Sequence, residues 1–136
     1  MIKPIMKSEF FLRLPSEDAG PDDAATGHDL LDTLHEHERE CVGLAANMIG
    51  VRKRIICVKD GNRTLLMYNP QILEQVNAYQ TSEGCLSLIG ERPCTRYRRI
   101  KVEYLDENFV HRIKNFSGYT AEIIQHEIDH CCGIVI

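Results

Sequence analysis

Apolar positions Leu30, Leu31 and Leu34 recur at helical spacing among charged neighbours between Asp29 and Glu40, which predicts an amphipathic helix. The stretch before it, "LPSEDAGPDDAATGHD", is dense in Pro, Gly, Asp and small residues and reads as a surface loop. The period then shortens. "RIICVK" and "TLLMYNP" are compact apolar runs on either side of "DGNR", a hairpin signal. "QILEQVNAY" follows as a third strand, and "IKVEYLDENFVHRIKN" reads as two strands about an Asp-Glu-Asn turn. From Ser117 onward the chain turns helical again, with Ser117 as N-cap, Glu122 in an early turn and Gly133 at the stop. The predicted architecture is α+β, with mostly antiparallel strands packed against a C-terminal helix.

With 136 residues, no internal repeat and no low-complexity linker, residues 1–136 form a single expected domain, large enough to bury a core. Apolar residues make up 43% and charged residues 26%, an ordinary balance for a soluble protein. The net charge of −4 argues against nucleic-acid binding, which needs a basic excess. The one basic run, "RYRRIK" at Arg96–Lys101, is expected to be the solvated face of a strand. Neither a signal-peptide core nor an apolar run of membrane-spanning length is visible, so a cytoplasmic chain with no membrane contact is expected. Its six cysteines are then thiols rather than a disulfide framework.

Chemistry concentrates in "QHEIDHCCG", Gln125–Gly133. Residues four apart share a helix face, so His126 and His130 can reach one metal. Glu127 lies about 100° round the helix from His126, where it can serve as general base on a water. A catalytic metal site takes three protein ligands and keeps one open position. "CCGIVI" offers no later His, Asp or Glu, and Cys131 and Cys132 follow His130 too closely to complete the set. The third ligand is therefore expected upstream, at Cys85 in "EGCLS" or Cys94 in "RPC". Cys85 is preferred, because Gly84 beside it lets the backbone approach a metal or substrate closely.

"EGCLS" at Glu83–Ser87, with "QHEIDH" some forty residues later, resembles the peptide deformylase family, and "CVGLAANM" at Cys41–Met48 echoes that family's "GxGLAAxQ" segment. The resemblance runs from about Asp29 to the C-terminus. It implies that Cys85, His126 and His130 bind one divalent metal, usually Fe(II) in the family, with zinc, nickel or cobalt able to occupy the site. It also implies hydrolysis of the formyl group from N-formylmethionyl peptides, with Glu127 carrying the proton from water to the departing amine. Two donors meet the developing oxyanion in the family: the N–H of the residue after the cysteine, here Leu86, and the glutamine amide of the first motif. Met48 stands where that glutamine would be, and a thioether donates nothing. Losing one such donor costs about 10²–10³ in turnover, so weakened oxyanion stabilisation is expected. A glycine of the same motif is replaced by Cys41.

Further carried over are Gly43 on the strand edge that pairs with substrate backbone, and Val42, Tyr119 and Ile123 lining the methionine pocket. Asp129 is expected to be held by Arg96, Gln125 to orient the loop bearing Cys85, and Arg92 to stand at the pocket rim. Family members often continue past this point with a longer helix or tail that helps them engage the ribosome; the present sequence ends at Ile136. Two other readings stay open: an amidase for a different N-acyl substrate, with a more apolar pocket at Met48, and a non-catalytic binding protein stabilised by a closed metal site.

Overall fold

The computed structural model describes residues 1–136. Five strands form one antiparallel sheet in sequential order: β1 (Gly43–Ala45), β2 (Ile55–Asp60), β3 (Arg63–Gly84), β4 (Glu91–Leu105) and β5 (His111–Ser117). Three helices accompany it: α1 (Glu9–Leu12), α2 (Ala24–Glu36) and α3 (Gly118–Cys131). The α+β expectation holds, and α3 packs across β1, β2 and β4. Inward residues of the strands (Leu44, Ile56, Val58, Met67, Val102) and of the helices (Leu30, Leu34, Ile124) make one continuous core. No helix is long and apolar enough to cross a membrane.

Several boundaries differ from the sequence reading, and β4 begins at Glu91, well ahead of the strand expected from Ile100. The helix expected over Asp29–Glu40 is α2, which begins at Ala24, inside the stretch expected to be loop, and ends at Glu36. Pro21 opens a 3-10 turn there, and the Asp23 carboxylate accepts from the Gly20 N–H, so the turn-rich composition starts a helix instead of delaying one. The strands expected at Thr64–Pro70 and Gln71–Tyr79 are one long strand. Pro70 would break a regular ladder, but it falls in the register shift between Tyr68 and Gln71, where a missing donor costs little. Asn69 takes the left-handed conformation beside it (φ 54°) and its side-chain amide bonds both the N–H and the carbonyl of Ala19.

The hairpin at Asp60–Arg63 and the turn between β4 and β5 form as expected. Helix α3 starts after Ser117, although no side-chain cap bond forms there. It ends with Gly133 at φ 77°, where the Gly133 N–H bonds His130 O and the Ile134 N–H bonds Asp129 O. The basic run is not simply a solvated face: Arg98 and Arg99 are exposed, whereas Arg96 is buried between two acidic side chains. All six cysteines are free thiols.

Candidate active site

Helix α3 carries its chemistry on the face turned to the sheet, with His126, Glu127 and His130 all buried. The Nε2 atoms of His126 and His130 face one another at 3.1 Å. With a Glu127 carboxylate oxygen they form a group whose ligand atoms lie within 4.8 Å of one another. Cys94, Cys131 and Cys132 are not part of this group. Cys85 lines the same cavity as His126 and Glu127 but stands outside the convergent group, on the irregular segment between β3 and β4.

Each member of the group has a distinct electrostatic setting. His126 Nδ1 lies 2.8 Å from Glu83 Oε1, so its N–H donates to that carboxylate and Nε2 is left with the free lone pair. Burial would lower the His126 pKa, but the Glu83 hydrogen bond and the charge of Glu127 outweigh it and raise it. Burial, with His126 as neighbour, pushes His130 down to about 3, so it is a neutral imidazole at pH 7. Burial pushes Glu127 up to about 7, against the opposing pull of His126, and one of its oxygens has no hydrogen-bond partner. Facing Nε2 atoms need a proton or a cation between them. Two imidazoles and an unsatisfied carboxylate, with Cys85 on the wall of the same cavity, suit a borderline divalent metal, and these residues fit the metal that such a motif implies.

Glu83 is the residue that motif spacing did not single out. It is only 9% exposed and receives three contacts of 2.7–3.1 Å from the Arg96 guanidinium besides the His126 bond. These hydrogen bonds hold its carboxyl well below the usual range despite burial. Arg96 also donates to Asp129 at 2.6 Å, as expected from sequence. The chain of contacts Asp129–Arg96–Glu83–His126 thus fixes one face of α3 to β3 and β4. The available sequence signal was a lone carboxylate at the start of "EGCLS", two residues before the cysteine.

A cavity of about 620 Å³ opens over the group. Its walls include Val42, Gly43 and Met48 from the first motif, Gly84, Cys85 and Leu86 from the second, and Tyr119 and Ile123 from α3. All eight were expected at the site. Gly43 is required by close approach: a Cβ there would lie 2.7 Å from Ile123 Cγ2 and 2.9 Å from Glu127 Oε2. Strand β1 pairs only with β2, so its other edge is free beside the cavity. Met48 is 1% exposed, and its neighbour Asn47 donates to the His130 carbonyl at 2.9 Å.

Two expected roles are corrected. Gln125 does not reach the Cys85 loop; its amide accepts from the Tyr97 N–H and donates to Tyr97 O and Ala121 O, clipping α3 to β4. Arg92 is not part of the cavity wall and faces Glu9 of α1 at 4.0 Å instead, because it alternates with Glu91, which does line the cavity. Glu122 is an addition: it lines the cavity, and the hydrogen bond that its protonated carboxyl donates to Glu83, together with burial, raises its pKa to about 7.

Comparison with known proteins agrees with this geometry. The family model described as polypeptide deformylase matches residues 7–136. A peptide deformylase from Clostridium beijerinckii is 52% identical over 136 residues, covering all of both chains. Among solved structures, a class I type b peptide deformylase from Acinetobacter baumannii superposes with a TM-score of 0.88 at 29% identity, covering 99% of this chain and 97% of that one. A Met-Ala-Ser-bound structure of the Acinetobacter enzyme gives 0.87 at 30% identity, covering 99% and 97%. With a family match over nearly its whole length and a full-length relative at this identity, the chain belongs to the polypeptide deformylase family.

Proposed function

We propose that this chain hydrolyses the formyl group from N-formylmethionyl peptides, with Cys85, His126 and His130 holding one divalent metal, Glu127 moving the proton, and the Leu86 N–H meeting the oxyanion. When bound, such a metal lowers the pKa of water toward neutrality and polarises the carbonyl under attack. Glu127 accepts the proton that the attacking water gives up. The water oxygen bonds to the formyl carbon, the carbon–nitrogen bond breaks, and Glu127 returns the proton to the departing amine, leaving formate. A buried carboxyl whose pKa is about 7 can both take and give a proton near neutrality.

The observation that carries this reading is the convergence of His126, Glu127 and the fully buried His130, the first two of which line a cleft whose wall also holds Cys85 and the free edge of β1. A peptide laid along that edge can pair with the backbone at Gly43, while Val42, Tyr119 and Ile123 offer apolar surface for a methionine side chain. The Acinetobacter relative binds Met-Ala-Ser, a peptide of the product type. Iron(II) is the resident metal that the family likeness implies, with zinc, nickel or cobalt as substitutes; imidazole and thiolate donors suit all four. Formylated nascent chains as substrate make the cytoplasm the compartment and the ribosome the natural partner, and six free thiols fit a reducing environment.

The test is formate release from formyl-Met-Ala-Ser by protein whose metal has been quantified. Release that scales with bound metal, and falls at least about 10²-fold in Glu127→Ala, is expected. Metal-loaded protein with no release above the metal-free control would overturn the reading.

A further inference from the structure

Residues 6–9 lie outside every motif, yet they touch both walls of the cleft. The Met6 N–H donates to the Met48 carbonyl at 2.7 Å. The Lys7 ammonium donates to the Leu86 carbonyl, also at 2.7 Å. Glu9 Oε1 lies 4.0 Å from Arg92 Nη2. The Met6 side chain packs against the core, and Ser8 caps α1 by accepting from the Phe11 N–H, so the segment is anchored on both sides of Lys7.

We infer that Met6–Glu9 braces the active-site cleft, and that Lys7 is a positioning residue for the oxyanion donor Leu86. Leu86 lies on the irregular segment between β3 and β4, which has no ladder bonds to hold it. Only two soft dihedrals separate its N–H from its carbonyl, so fixing the carbonyl restricts where the N–H can point. Met48 contributes no side-chain donor on the opposite wall, which leaves the Leu86 N–H with a larger share of the oxyanion and makes its aim matter more. The bond from Met6 to Met48 and the bond from Lys7 to Leu86 set the distance between the two walls. This also gives Arg92 a role: it holds the far end of the brace rather than the pocket rim.

The test compares Lys7→Met and Lys7→Arg in the full-length, metal-loaded protein by steady-state kinetics and by amide hydrogen exchange. Lys7→Met keeps the side-chain length and the Met6 backbone bond but removes the donor. It is expected to lower kcat about five- to tenfold with KM within about twofold, the loss typical of one solvent-exposed hydrogen bond. Exchange in the peptide spanning residues 84–90 should speed up about fivefold, while bound metal and the exchange of α3 stay unchanged. Lys7→Arg should recover at least half of kcat and the slow exchange. The kinetic arm rests on the proposed activity, whereas the exchange arm does not. Inactive parent protein would defeat the activity and leave exchange to decide the brace. Unchanged exchange at 84–90 in Lys7→Met, or a loss in Lys7→Arg as large as in Lys7→Met, overturns the inference.

Discussion

Replacing Glu83 by Gln tests whether the buried carboxylate behind His126 governs metal binding. In the parent, one carboxylate accepts from His126 Nδ1 at 2.8 Å and from Arg96 through contacts of 2.7, 3.0 and 3.1 Å. Deleting the side chain would strip the buried Arg96 of its main counter-charge. Breaking such a pair costs about 3–5 kcal/mol, a large part of the roughly 5–15 kcal/mol that holds a domain together. Gln keeps the volume and one acceptor. Its amide group, however, must present N–H donors either to the His126 N–H or to the guanidinium, and both are donors already.

In the proposed site the His126 ring then loses the carboxylate that would make Nε2 a strong ligand. Removing such a supporting partner typically costs about 10–100-fold in metal affinity, or about 1.4–2.7 kcal/mol. Competition with a chelating dye should show a fall of that size in Glu83→Gln. Turnover per bound metal should change less than about threefold, because Glu127 and Leu86 are untouched. An affinity within twofold of the parent would mean that packing alone orients His126, and the proposed role of the carboxylate would be wrong.

The remaining predictions concern the oxyanion and a shared proton. Met48→Gln restores an amide on the cavity wall and should raise kcat on a formylated peptide at least about tenfold, a modest part of the usual donor effect; an equal or lower rate would show that another group already fills the role. Glu122 has its pKa raised to about 7 in the fold by the Glu83 hydrogen bond and burial, against an ordinary value of 4.5. The folded state therefore holds this proton more tightly than the unfolded chain, and stability falls as pH rises from 4.5 toward about 7. Glu122→Gln removes that slope, so its Tm relative to the parent should climb between pH 5 and pH 7.5; a constant difference would contradict the shared-proton arrangement.

Local chemistry wrote much of this protein into its sequence. A helix face repeats every three to four residues, so His126 and His130 were bound to share one side of α3, with Glu127 beside them, wherever the helix packed. The hairpin at Asp60–Arg63, the turn after Leu105 and the stop at Gly133 are likewise short-range signals. The expectation that Arg96 holds Asp129, 33 residues away, came from the family resemblance rather than from any local signal. Other features depend on residues distant in sequence and had no local signal. Pro70 read as a strand end because its missing N–H is costly in a regular ladder, and only the register shift beside β4 removed that cost. Glu83 looked like one more acidic residue until β3, β4 and α3 brought Arg96 and His126 to it from 13 and 43 positions away. Gln125 and Arg92 were aimed wrongly for the same reason: a side chain's partner is set by the element packed against it. The sequence determined which residues could bind and move protons; the tertiary structure decided which carboxylate stands behind the histidine and which segment holds the walls, because low-dielectric burial and close packing give those contacts their energy only after distant strands have met.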